Sequence, residues 1–144
     1  MKKILIYFFL LINSICLAQN KNVFHLHEIT KEYQLGFMSY DKEFEMYQKP
    51  ILKKGKNILK INGYDDSNFS DGNVISISPN NKFIVLDYIS KGYVEHDNEK
   101  ELYENYFCVI IDLIKHKVVA QLQSDCGGEW NNNNQFVSNG KIVF

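Results

Sequence analysis

His25 and His27 stand two residues apart in a stretch whose apolar and polar residues partly alternate. On a strand, residues at i and i+2 project to one face, so both imidazoles would point the same way. With a third ligand such as His96 or Asp97 they would supply the donor set of a zinc site. Without one they are a solvated strand face. The run Asp65-Asp66-Ser67-Asn68-Phe69-Ser70-Asp71-Gly72-Asn73 is rich in side-chain oxygen and invites calcium. Asp66, Asn68 and Ser70 match the first three ligand positions of an EF-hand loop. Asp71 then falls where that loop needs glycine, and Ile77 where it needs a bidentate glutamate. Ordinary Asx turns account for the same composition. No metal or other cofactor is therefore expected, and His25, His27, Asp66 and Asn68 remain as residual ligand candidates.

Asp112 and Asp125 with His116 have the residue types of acid–base chemistry. His116, however, lies between Lys115 and Lys117 in an expected hairpin turn, the setting of an ordinary exposed histidine. No Gly-x-Ser-x-Gly, His-Glu-x-x-His or phosphate loop is present. No catalytic residue is assigned, and the chain leans away from catalysis. Trp130 with Glu129 is a different kind of candidate. An aromatic face beside a carboxylate, placed after Gly127-Gly128 and before the asparagine run 131–134, suits a sugar or a peptide. The competing reading is a tryptophan that caps the open end of a sheet.

The remaining chemistry belongs to cysteine, and it depends on compartment. Met1-Lys2-Lys3 precedes the apolar residues 4–12, and Ala18 precedes a polar residue. This is the pattern of a secretory signal peptide, too short for a spanning helix of ~20 residues. Cleavage is expected after Ala18, giving a signal peptide at 1–18 and a single β-rich domain at 19–144. The domain is expected to be periplasmic or extracellular, touching membrane only through an uncleaved signal segment. Ile15 stands where a lipoprotein signal has a small residue, which disfavours lipidation of Cys16. Cys108 and Cys126 are then left in an oxidising compartment. Cys108 lies in an expected strand and Cys126 just beyond the next, so a hairpin brings them together. A disulfide between them is expected if their Cα atoms lie within ~7 Å, and it is worth about 3 kcal/mol.

Charge narrows the partners. Removing Lys2 and Lys3 from 16 basic residues leaves 14 against 17 acids, a net charge of −3, and no basic residue is arginine. A mildly acidic, arginine-free surface argues against nucleic acid, which calls for a basic stripe and bidentate guanidinium contacts.

The elements that must position these residues are strands. Residues 74–78, 83–90, 106–112 and 118–123 are short apolar, β-branched or aromatic runs separated by turn residues, the grammar of an antiparallel meander. Residues 22–29, 33–40 and 57–64 read as further strands. Residues 41–48 read as a helical turn stopped by Pro50. Residues 91–105 read as a charged loop, with a second helical turn at 99–103. The fold class is mainly β: an antiparallel meander of about eight strands, blade-like or in two small sheets. The tail should form a hairpin across Asn139-Gly140, the strongest short hairpin signal. Its outer edge is expected to lie against residues 57–64.

Ser78-Pro79-Asn80-Asn81-Lys82 is followed by an apolar strand, a second strand ending at Asp112 and a third opening Lys117-Val118-Val119. Ser138-Asn139-Gly140-Lys141 echoes that start. Residues 73–144 thus resemble a blade of the β-propeller repeats of bacterial exported proteins. The resemblance implies a blade-like sheet. The expected function is an exported, non-catalytic binding or protein-interaction domain of a bacterial envelope, with an unknown protein or glycan partner. The alternatives are a small exported metal-dependent hydrolase, and an inhibitor or immunity-type protein that plugs a partner with residues 91–105.

Overall fold

The computed structural model describes residues 23–123 and 126–144. The expected signal segment and Asp125 lie outside these residues. Twelve strands and no helix occupy the described residues, in order β1 (Phe24–Glu28), β2 (Gln34–Asp41), β3 (Met46–Lys54), β4 (Asn57–Lys60), β5 (Phe69–Ser70), β6 (Val74–Ile77), β7 (Phe83–His96), β8 (Glu99–Asp112), β9 (Lys117–Gln123), β10 (Glu129–Trp130), β11 (Phe136–Ser138) and β12 (Lys141–Ile142). Nine strands form one antiparallel sheet, ordered β1-β2-β3-β5-β7-β8-β9, with β4 also on β3 and β6 also on β7; β10-β11-β12 form a second. The chain is mainly β in two sheets, as its patterning predicts.

Both expected helical turns are absent. Residues 42–45 are instead the turn between β2 and β3, and β3 runs straight through Pro50. Proline is tolerated there for a reason visible in the register. On its far side β3 pairs with β5 at Tyr47 and Gln48, then with β4 from Ile51 onward. Pro50 falls in the gap, where no ladder on that side calls for an N–H. Residues 99–103 are strand, in β8.

The large sheet folds over an apolar core. Leu35 and Phe37 of β2, Leu52 of β3, Ile61 and Tyr64 meet Ile84 and Leu86 of β7 and Val109 and Ile111 of β8. A bridge from Asn62 to Lys117 ties the chain after β4 to the start of β9. Alternation sends the other residues of β7 and β8 to the opposite face. There Val85, Cys108 and Ile110 pack with Phe136 of the small sheet, joined by Phe83, Trp130 and Phe144. Trp130 tilts against Phe136 at 5.1 Å between ring centroids and lies parallel to Phe83 at 6.1 Å. Gly128 must lack a side chain, because a Cβ would sit 2.6 Å from the Val137 carbonyl oxygen and 2.7 Å from the Phe136 ring.

The tail pairs as expected on one side. Val137 opposes Ile142 across Asn139-Gly140, Val143 N–H donates to the Phe136 carbonyl, and Phe136 N–H to that of Phe144. The expectation for its other side is corrected: residues 57–60 pair with β3, and β12 is an edge of the small sheet.

Candidate functional site

β7 and β8 are each 14 residues long and pair along their whole length, from Phe83 opposite Asp112 to His96 opposite Glu99. Their neighbours are shorter. β5 reaches β7 only at Ile89, and β9 reaches β8 only as far as Phe107. Residues 90–106 therefore leave the body as a two-stranded ribbon with no third strand among the described residues. Asp97 (φ 50°) and Asn98 (φ 69°) close its tip. Two positive φ values in a two-residue turn match the right-handed twist of the strands on either side. The expectation of a charged loop at 91–105 is thus corrected to a β-arm.

A lone two-stranded ribbon is marginal in water, and this one is braced at its root. Lys91 and Glu104 lie directly opposite each other and form an ion pair. The shared hydrogen bond raises the Lys91 pKa and lowers that of Glu104. Tyr106 Oη donates to Glu104 Oε2 at 3.1 Å. From the β2–β3 turn, the Phe44 ring lies 5.3 Å from Lys91 Nζ and 5.8 Å from the Tyr93 ring. Even so, the large side chains of the arm face solvent in large part. Tyr93, Val94, Leu102, Tyr103 and Tyr106 are each about half exposed. Among them stand five acids (Glu95, Asp97, Glu99, Glu101 and Glu104) against Lys91 and Lys100, a net charge of −3 for the arm.

The residues singled out from sequence lie elsewhere. His25 and His27 have ring centroids 6.0 Å apart, with His25 stacked on Tyr47 at 4.8 Å. Among the described residues no group of three or more His, Cys, Asp or Glu side chains is placed to hold a metal ion. Asp66 pairs with Lys60 at 3.1 Å, and the buried Asn68 donates its N–H to the Asp65 carbonyl. Asp112 Oδ1 accepts the N–H groups of Ile114 and Lys115, which fixes the β8–β9 turn. His116 ends that turn at φ 51°. Trp130 Nε1 donates to Ser76 Oγ at 3.0 Å, which ties the small sheet to β6 and turns part of the indole inward, while Glu129 beside it is exposed. Cys108 and Cys126 form a disulfide with Cα atoms 5.3 Å apart. It fastens the small sheet to β8 just below the arm.

A buried acid escaped the sequence reading. Asp87 of β7 is 8% exposed. Its Oδ1 accepts from Ser70 Oγ at 2.5 Å and its Oδ2 from the Asp71 N–H at 2.7 Å. Ser70 Oγ in turn accepts from the Gly72 N–H at 3.0 Å. Gly72 (φ 96°) is required at this turn, since a Cβ would meet the His25 and Tyr47 rings at 2.8 Å. The buried Tyr64 hydroxyl donates to the carbonyls of Phe69 and Asp87. These bonds strap residues 69–73 to β7. The cluster is closed over, so it orders the fold and offers no reacting atom to solvent.

Burial pushes the Asp87 carboxyl up from 3.8 to about 6, against the opposing pull of its two donors. A raised carboxyl pKa means that the folded state holds the proton more tightly than the unfolded one between about pH 4 and pH 6. The Asp87 contribution therefore rises as pH falls through that window, by on the order of 3 kcal/mol. Asp87→Asn keeps the side chain's size and shape and loses the titration. Denaturant unfolding at about pH 4 and pH 7 should show the variant gaining on the wild type at the higher pH. Parallel pH profiles would mean that Asp87 titrates normally.

No protein-family model, curated protein or solved structure matches this chain.

Proposed function

We propose that this protein is an exported, non-catalytic interaction module that docks through the arm at 90–106 onto a protein partner with a basic rim and an apolar floor. The observation that carries this reading is the arm itself. It is a ribbon with no third strand on either edge among the described residues, and it exposes Tyr93, Val94, Leu102, Tyr103 and Tyr106 among an excess of acids. Tyrosine-rich surfaces bring large contact areas at low conformational cost. The net charge of −3 selects a cationic partner and repels a second copy of the same arm. An inhibitor-type plug is one form of the same reading, with the arm entering a partner's cleft. The N-terminal pattern and the Cys108–Cys126 disulfide support the export part of this reading.

The test replaces residues 92–103 by an Asn-Gly turn that closes β7 onto β8 just beyond the Lys91–Glu104 pair. The shortened chain should melt near the wild type, because the removed residues lie outside both cores. A partner held by the intact chain should be lost with the arm, and should also dissociate as salt rises from ~0.1 to ~0.5 M. Retention of that partner by the shortened chain overturns the proposal.

A further inference from the structure

Among the described residues, nine other than glycine have a positive φ. Seven of them lie in turns. His25 (φ 46°) and Lys49 (φ 56°) alone lie within strands, β1 and β3. Such backbone costs free energy and persists where surrounding structure enforces it. For His25 the compensation is visible, since its ring stacks on Tyr47. Lys49 is different. It directly precedes Pro50, where the chain is further restricted, and its side chain makes no hydrogen bond, ion pair or ring contact among the described residues.

Lys49 borders a cleft of about 640 Å³ on the outer face of β1–β4, within the usual size range for small-molecule sites, ~300–1,000 Å³. Its walls and floor are Phe24, Met38, Pro50, Ile51 and Ile58; Phe24 and Ile58 are exposed, and Ile51 is buried beneath them. Lys49, Lys60 and Asp66 supply its charge. Lys60 and Asp66 neutralise each other at 3.1 Å. Lys49 is left as an uncompensated cation beside an apolar trough.

We infer that this cleft is a binding site for a single-chain amphiphilic carboxylate, with the head group on Lys49 and the acyl chain along Ile51, Met38, Ile58 and Phe24. Charge complementarity selects an anion, and the apolar walls select a chain over a small inorganic ion. Lys49 then exchanges backbone strain for a charge beside the apolar walls of the cleft. The site is separate from the arm, so it stands or falls independently of the docking proposal.

The experiment titrates the purified chain with laurate, dodecanol and dodecyltrimethylammonium, each below its micelle concentration, by calorimetry. Laurate should bind at one site, with the alcohol and the cation at least tenfold weaker, the equivalent of about 1.4 kcal/mol. Lys49→Gly is the decisive variant. Glycine accepts φ 56° freely, so its Tm should be held or raised while laurate affinity falls tenfold or more. Lys49→Gln should show the same loss of affinity. Asp66→Asn frees Lys60 and should tighten laurate binding. Equal binding of the three probes, or laurate affinity unchanged in both Lys49 variants, overturns the proposal.

Discussion

Phe136→Ala is expected to destabilise the chain by about 3–5 kcal/mol, the range for deleting a buried aromatic ring. Phe136 is fully buried. It is the small sheet's main contribution to the second core, meeting Val85, Cys108 and Ile110 from the large sheet. Trp130 and the edge of Gly128 close over it, so neighbours cannot collapse into the void without moving the Trp130–Ser76 hydrogen bond. Denaturant unfolding gives the value directly. A companion change, Ile142→Ala on the exposed edge strand, should cost little. Equal effects of the two would mean that the small sheet is not seated on β7 and β8.

The second large effect is expected from reduction. The Cys108–Cys126 bond closes a loop with a sequence separation of 18. In the chain-entropy model such a loop is worth about 3 kcal/mol. For a domain near this size the loss corresponds to a fall in Tm of about 10 °C. The loss should be smaller in a chain already carrying Phe136→Ala, because both changes release the same sheet from β8 and neighbouring effects do not add. A melt unaffected by reductant would mean that packing alone holds residues 126–144 in place.

The tail hairpin and the cysteine pair behind these two predictions are legible in the sequence, whereas the burial of Phe136 and the features behind the functional readings are not. Asn139-Gly140 between apolar runs announced its hairpin, because a tight turn has strict backbone demands that few residues meet. The Cys pair was legible through the hairpin between its two strands. The central strands 83–90 and 106–112 were legible through their apolar, β-branched and aromatic residues, packed on both faces. The arm was hidden because neither of its faces is buried. Without a core to select for period-two alternation, 91–105 reads as polar loop although all of it but the two tip residues is strand. Residues 41–48 read as a helical turn because Pro50 reads as a stop, yet β3 continues through it. Its tolerance depends on a gap between β4 and β5 that only the tertiary pairing reveals. The cleft gathers Phe24, Met38, Lys49 and Ile58 from four strands, and no local spacing connects them. Asp87 looked like one more acid in a strand, since its burial is decided by the strap at residues 69–73.

Site-specific photocrosslinking in the producing cell tests the docking reading most directly. A photoreactive aromatic residue is placed at Tyr103 or Tyr93 on the arm, at Ile142 on the small sheet, and at Lys56 in the β3–β4 turn. The arm positions should yield one discrete crosslinked species, diminished when Glu99 and Glu101 are changed to lysine, while Lys56 and Ile142 yield none. The same species from Lys56 or Ile142 with nothing from Tyr93 and Tyr103 would contradict docking through the arm.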